Sequence, residues 1–384
     1  MSAPSLPPLS LPYRTPSLPG IGGRLRSVDD DFAVDEIPAY PADGAGDHVF
    51  VHVEKRGLTT PEAAQRLAAL AGVPARDVGW AGMKDRHAVT RQWLSLPPPA
   101  RPEPLLGHAA DGLTVLAAIR HRHKLRTGHL RGNRFALVVR DVGPATEAAA
   151  RARAILAALA DGAPNWYGEQ RFGARGDNAG AGLAIIRAGG KGGGPPKRKR
   201  FLVSALQSYL FNRWLAERLD DRLVTTVLAG DVLEKTTTGG LFVSTEPAVD
   251  QARLDAGELA LTGPMFGAVM KAPTVDSAAH AREARLLTAV ELGVADFARL
   301  GNLASGTRRT AALRLTDSAV EEVAPDAIRV TFSLPAGAYA TAILREVQKS
   351  ADGFGHDHPP ASDDPGDAGD GDAPDPEPHA SSPS

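Results

Sequence analysis

The chain contains no cysteine. That excludes thiolate zinc sites, cysteine nucleophiles and disulfide frameworks, and makes a reducing compartment the default expectation. No window approaches the roughly 18 uninterrupted apolar residues of a membrane-spanning helix, so no membrane partner is expected. An apolar signal core is missing as well. The first residues are broken by Pro4, Pro7, Pro8, Pro12, Pro16 and Pro19, and a cytoplasmic location is the expectation. There is no dinucleotide fingerprint. Lys191 lies in a glycine-rich run but is followed by Gly192, so the run is no phosphate-binding P-loop.

What is present fits two domains, since 384 residues exceed the roughly 100–200 of one. The formal charge of −2 hides a division. Residues 351–384 hold nine acidic side chains and no Lys or Arg, leaving 43 basic against 36 acidic residues in the body. A basic body suits an anionic partner such as RNA. The tail, rich in Pro, Asp, Gly and Ser, is expected to be disordered.

Along the chain, Asp31–Glu36 and His48–Lys55 alternate as strands do. Thr59-Thr60-Pro61-Glu62 carries helix-start signals, with Leu67 and Leu70 expected inward and Gly72 as the stop. The run from Arg120 to Phe135 holds many cations, no acid and a terminal aromatic. It reads either as an RNA contact or as a solvated basic hairpin. His121 and His123 lack acidic or cysteine partners at ligand spacing, so no metal is expected. Residues 145–160 read as an amphipathic helix, and Pro164–Gly173 as a shaped aromatic loop. Lys197–Arg200 read as a mobile basic loop. The helix Phe201–Leu219 should bury Leu202, Leu206, Leu210, Trp214 and Leu215, leaving Ser204, Gln207, Ser208 and Asn212 on a solvated or interdomain face. Residues 222–310 read as short strands and turns, Ile328–Ser333 as a strand, and Leu334–Glu346 as a turn and helix.

The stretch Gly79–Thr90 organises the rest. Asp85 stands between Lys84 and Arg86, after the small residues Ala81 and Gly82. Flanking cations favour an ionised carboxylate, as a nucleophile or base requires. By itself the stretch also reads as an Asp turn between two solvated cations.

Ala81-Gly82-Met83-Lys84-Asp85-Arg86-His87-Ala88-Val89-Thr90 resembles the catalytic motif of the TruD family of tRNA pseudouridine synthases. Five further blocks agree in order: Asp31–Glu36, Lys124–Phe135, Asn165–Gly173, Ser204–Asn212 and Leu334–Glu346. The resemblance implies an α+β fold. A pseudouridine-synthase catalytic domain, with an antiparallel-rich mixed sheet and flanking helices, would occupy 28–164 and 309–350. A family-specific α/β insertion would occupy 165–308, a Pro-rich arm 1–27 and the acidic tail 351–384. It implies isomerisation of a tRNA uridine, typically at position 13; a monomer is expected.

That reaction breaks N1–C1′, turns the uracil and joins C5 to C1′, so it needs no cofactor. Asp85 is the catalytic candidate, attacking C1′ or removing a sugar proton. The base must leave the RNA stack. Phe135 is the candidate platform for it, with Asn133 on the same face to meet a uracil edge. Lys84, Arg86 and Lys124 are expected as phosphate or carboxylate partners. Two rivals remain: a non-catalytic RNA-binding or chaperone protein, and a nucleoside glycosidase with Glu169 as second carboxylate.

Overall fold

The computed structural model describes residues 6–160, 162–173 and 175–350; the acidic tail lies outside them. The described chain separates into two compact units. One holds Ile21–Arg153 and Thr316–Ala338; the other holds residues 6–20, 154–315 and 339–350.

In the first unit the strands run in chain order as β1 (Arg24–Leu25), β2 (Phe32–Pro38), β3 (His48–Arg56), β4 (Gly79–Trp80), β5 (Val89–Leu96), β6 (Ala109–Ala110), β7 (Leu113–His121) and β8 (Leu130–Arg140). Helix α1 (Thr60–Ala71) lies between β3 and β4, and α2 (Ala145–Leu159) follows β8. In the second unit come β9 (Ala163–Pro164), α3 (Asn178–Arg187), α4 (Pro196–Asp220), β10 (Val232–Lys235), β11 (Leu241–Val243), α5 (Pro247–Asp255), β12 (Leu259–Met265), α6 (Ala278–Ala289), α7 (Val294–Ala298), β13 (Thr307–Thr310) and β14 (Ala312–Leu313). The chain then returns to the first unit for β15 (Thr316–Ala324) and β16 (Ala327–Pro335), and its last described helix, α8 (Ala340–Gln348), belongs to the second unit.

The first unit is built on one sheet ordered β15-β16-β8-β2-β5-β3-β7-β6, with β1 on β8 and β4 on β5. Among the described strands every pairing is antiparallel except β2 with β5. Paired residues point to the same face. Register therefore puts Phe332, Phe135, Val34, Thr90 and Lys55 in one row across five strands, with Leu334, Asn133 and Glu36 in the next. Helix α1 packs on the β3–β5 part through Ala63, Ala64, Leu67 and Ala68. Its start is a capping box. The Thr59 hydroxyl accepts from Glu62 N–H, and the Glu62 carboxylate accepts from Thr59 N–H at 2.7 Å. Gly72 stops it with φ +68°, the left-handed conformation that glycine adopts without strain. Leu70, expected inward, is 37% exposed; α1 meets the sheet along one narrow stripe.

The second unit is centred on α4, which departs from expectation at both ends of the argument. It begins at Pro196, so Lys197–Arg200 form its first turn rather than a loop. Its polar face is buried as well. Asn212 accepts from the Tyr167 N–H at 3.0 Å and donates to the Tyr167 carbonyl at 2.9 Å. Gln207 donates to the Phe266 carbonyl, and Arg218 is enclosed against Asp231. Helices α3 and α6 and strand β12 pack against this helix, and its buried polar side chains bond to backbone groups of the segments around it. Helices α5, α6 and α7 stand where only strands and turns were expected. Residues 6–20 are fastened here too: Glu346 accepts from the Arg14 and Thr15 backbones, and Tyr209 donates to the Pro7 carbonyl. Among the described residues no helix is long and apolar enough to cross a membrane.

Candidate active site

Asp85 lies in the 81–88 connection between β4 and β5, a segment without regular structure. Its backbone is nevertheless tied down. The Lys55 ammonium, on a fully enclosed residue, donates to the carbonyls of Leu58 (2.6 Å), Lys84 (3.1 Å) and Asp85 (2.6 Å). Thr60 Oγ1 accepts from the Lys84 N–H at 2.9 Å and donates to Gln92 Oε1, also at 2.9 Å. Gln92 Nε2 donates to the Gly82 carbonyl, and the Gly128 N–H donates to that of Ala81. Burial pushes the Lys55 ammonium down to about 8, while the Asp85 charge pulls upward.

The carboxylate of Asp85 itself is left open, its side chain 58% exposed. Its ion-pair partner is Arg26, 2.8 Å from Oδ2 and held with its guanidinium 3.9 Å over the Phe32 ring. The two flanking cations go elsewhere. Lys84 reaches Glu36 at 3.0 Å, with both side chains at most 5% exposed. Glu36 also accepts from the Trp93 N–H. Arg86 pairs with Glu62 on α1. Neighbours in an extended segment point to different sides, so adjacency in sequence does not make them Asp85's partners. Lys84, expected as a phosphate or carboxylate partner, pairs with an enclosed carboxylate. Of the carboxylates beside the Asp85 loop, Glu36 and Glu62 are consumed by these pairs and Asp29 stands 3.9 Å from His87 Nδ1; Glu169 belongs to the other unit.

Phe135 and Asn133 do share a face, as their spacing predicts. Phe135 is packed between Phe32 (6.5 Å, edge-on) and Phe332 (5.6 Å, tilted) and is 7% exposed, so it offers a base little more than its margin. Asn133 Oδ1 is enclosed and has no hydrogen-bond partner among the described residues. An enclosed acceptor without a donor is costly, and such positions suit a ligand's N–H. Lys124 lies half-buried on the 122–129 loop. That loop presses on β4: a Cβ at Gly79 would stand 2.2 Å from the Leu125 carbonyl oxygen, so glycine is required there.

Sequence reasoning missed Arg26 and Lys55. Nothing local marks Arg26, which lies 59 residues from its partner. Lys55 was detectable, because Val49, Val51 and Val53 are inward and Lys55 continues their phase. A charge on the inward phase of a strand signals a buried polar site.

The comparisons with known proteins agree with one another. A family model described as tRNA pseudouridine synthase D (TruD) matches residues 9–192 and 194–347. A tRNA pseudouridine synthase D of Anaeromyxobacter dehalogenans is 50% identical over 346 residues, covering 88% of this chain and 96% of the relative. That of Thermus thermophilus is 41% identical over 343 residues, covering 89% and 93%. In fold, the chain is similar to a crystal structure from Methanosarcina mazei described as a tRNA pseudouridine synthase D. The TM-score is 0.74 at 22% identity, covering 88% of this chain and 96% of that one. With its motif, its mixed sheet and matches spanning nearly all of the described residues, the chain belongs to the TruD family of tRNA pseudouridine synthases.

Proposed function

We propose that this protein converts a uridine of tRNA, at position 13, to pseudouridine, with Asp85 as the catalytic carboxylate. The observation that carries the reading is a contrast. The Asp85 backbone is held by a buried lysine, while its carboxylate stands exposed beside Arg26. A structural aspartate would gain from the reverse arrangement. The reaction balances without a cofactor: N1–C1′ breaks, C5–C1′ forms, the C5 proton leaves to solvent and N1 takes one up. Asp85 acts at the ribose, on C1′ or on a sugar proton. In this reading the Asn133 oxygen accepts the uracil N3–H, and Phe135, backed by Phe32 and Phe332, contacts the extruded ring. In this reading residues 28–164 and 309–350 form the catalytic domain that carries Asp85, and residues 165–308 form the insertion. A cytoplasmic monomer is expected.

Tritium release from tRNA labelled at uridine C5 tests this directly, because C5 loses its hydrogen only on joining C1′. Wild type should release tritium. Asp85→Ala should release none, yet bind tRNA within about threefold of wild type, since it lacks an interaction made only in the transition state. Tight tRNA binding without release by wild type would favour the non-catalytic RNA-binding reading.

A further inference from the structure

On the first unit the β2–β3 connection, the end of β7 and the 122–129 loop enclose an open cleft of about 680 Å3, within the roughly 300–1,000 Å3 of ligand sites. None of the residues assigned to the reaction above except Lys124 lines it.

Its chemistry is distinctive. Tyr40 stacks on His121 with centroids 5.4 Å apart and an interplanar angle of 20°. The Tyr40 hydroxyl meets His129 Nδ1 at 2.6 Å. Burial, with the Arg126 charge adding to it, lowers the His129 pKa, so this imidazole is neutral at neutral pH. Asp43, the acid at the rim, is taken by His121 (3.2 Å) and Arg122 (3.1 Å). Lys124 and Arg126 therefore have no carboxylate partner among the described residues. His48 Nδ1, enclosed at the cleft, has no hydrogen-bond partner among them either.

Two uncompensated cations beside an aromatic stack and an uncommitted ring nitrogen are what a ribonucleotide needs: charge for phosphate, π-surface for base, a polar atom for its edge. The cleft is also tied to the catalytic loop. The Gly128 N–H bonds the Ala81 carbonyl at 2.8 Å, and Ala81 stands four residues from Asp85, at most about 14 Å along the chain.

We propose that this cleft holds a second nucleotide of the substrate RNA, a few positions from the target. Its phosphate would lie on Lys124 and Arg126 and its base against the Tyr40–His121 stack, setting the register at which the target uridine meets Asp85. The inference rests on the proposed tRNA-modifying reaction.

The test is equilibrium binding of an unmodified tRNA transcript across a salt series, in an Asp85→Asn background that prevents turnover. Adding Lys124→Ala and Arg126→Ala should raise Kd about tenfold or more and reduce the slope of log K against log salt by about 1–2. Adding Tyr40→Leu alone, which keeps an apolar body under the ring contacts, should weaken binding roughly 5- to 150-fold with little change in slope. Arg126→Glu, at an exposed position, covers the case in which the double variant does not fold. Unchanged Kd and slope in Arg126→Glu overturn the proposal. Tritium release by wild type serves to separate the two readings. Release with an unresponsive Kd removes only the cleft. A responsive Kd without release removes the reaction and leaves the cleft as an RNA site.

Discussion

Lys55 gives the sharpest prediction, because its protonation state should move activity and stability in opposite directions. As an ammonium it has three N–H donors, and three carbonyls take them. A neutral amine has two donors and a lone pair, so deprotonation sets that lone pair against one of the carbonyl oxygens. Burial, joined by the like charges of Lys84 and Arg86, outweighs the pull of the Asp85 and Glu62 carboxylates and brings the value to about 8 from 10.5. Holding the proton at lower pH therefore costs on the order of 3 kcal/mol of folding stability. Between about 8 and 10.5 the unfolded chain binds more protons than the folded one, so global stability rises with pH through that window.

Catalysis should do the reverse. One carbonyl released from the clamp is that of Lys84 or Asp85 in most arrangements, and a misplacement of about 1 Å costs roughly 100-fold in rate. Single-turnover tritium release with saturating enzyme, measured from pH 6.5 to 10, should fall along one titration near 8 while the urea midpoint holds or climbs. Lys55→Met keeps the stem but no donor. It should be about 100-fold slow at pH 7 and lack the titration. Its stability loss should stay below about 6 kcal/mol, because removing the buried charge, about 3 kcal/mol, partly offsets three carbonyls left unpaired at about 1–3 kcal/mol each. A wild-type profile flat through pH 9 refutes the clamp. So does an alkaline fall that persists unchanged in Lys55→Met, which would belong to the substrate.

Three further outcomes are expected. Lys84→Met leaves Glu36 enclosed without its cation and should cost about 3–5 kcal/mol in denaturant unfolding; adding Glu36→Met should recover much of that loss, as a double-mutant cycle would read. Phe135→Ala removes a ring packed between two others and should cost about 3–5 kcal/mol, so Phe135→Leu is the informative variant. It should stay folded by thermal melting but release tritium more slowly, and a wild-type rate would remove Phe135 from the base's contacts. Arg26→Ala breaks an exposed pair and should change stability by less than about 1 kcal/mol, while a single-turnover rate unaffected by it would show that Arg26 does not orient the Asp85 carboxylate.

How much was legible follows from the range of the forces involved. The strands at 32–38 and 48–56 and the start and stop of α1 rest on alternation and capping, which act within a few residues. They could be read directly. Helix α4 was recognised from its leucines, but Ser208 and Asn212 were assigned to a solvated or interdomain face, and both are fully buried. The residues that cover them, such as Tyr167, arrive from 45 positions away. In α6, Arg282 and Glu283 break the apolar pattern yet are buried, Glu283 by pairing with Arg308 of β13. A distant ion partner makes a core position look like surface.

The site shows the same limit in a more useful form. The local motif located Asp85 but assigned it the wrong cations, since the partner lies 59 residues upstream. What each strand did display was a polar residue on its inward phase: Glu36 after Phe32 and Val34, Lys55 after Val53, Gln92 before Leu94, Asn133 before Phe135. Singly, each is an anomaly that lowers stability. Only the strand order β8-β2-β5-β3 brings them side by side, and that order depends on long-range pairing that no local pattern encodes. Their convergence explains why the cost is tolerated. The connection at 81–88 has no strand or helix to hold it, so a fixed Asp85 requires buried polar side chains beneath it. The sheet supplies them at the expense of its own core.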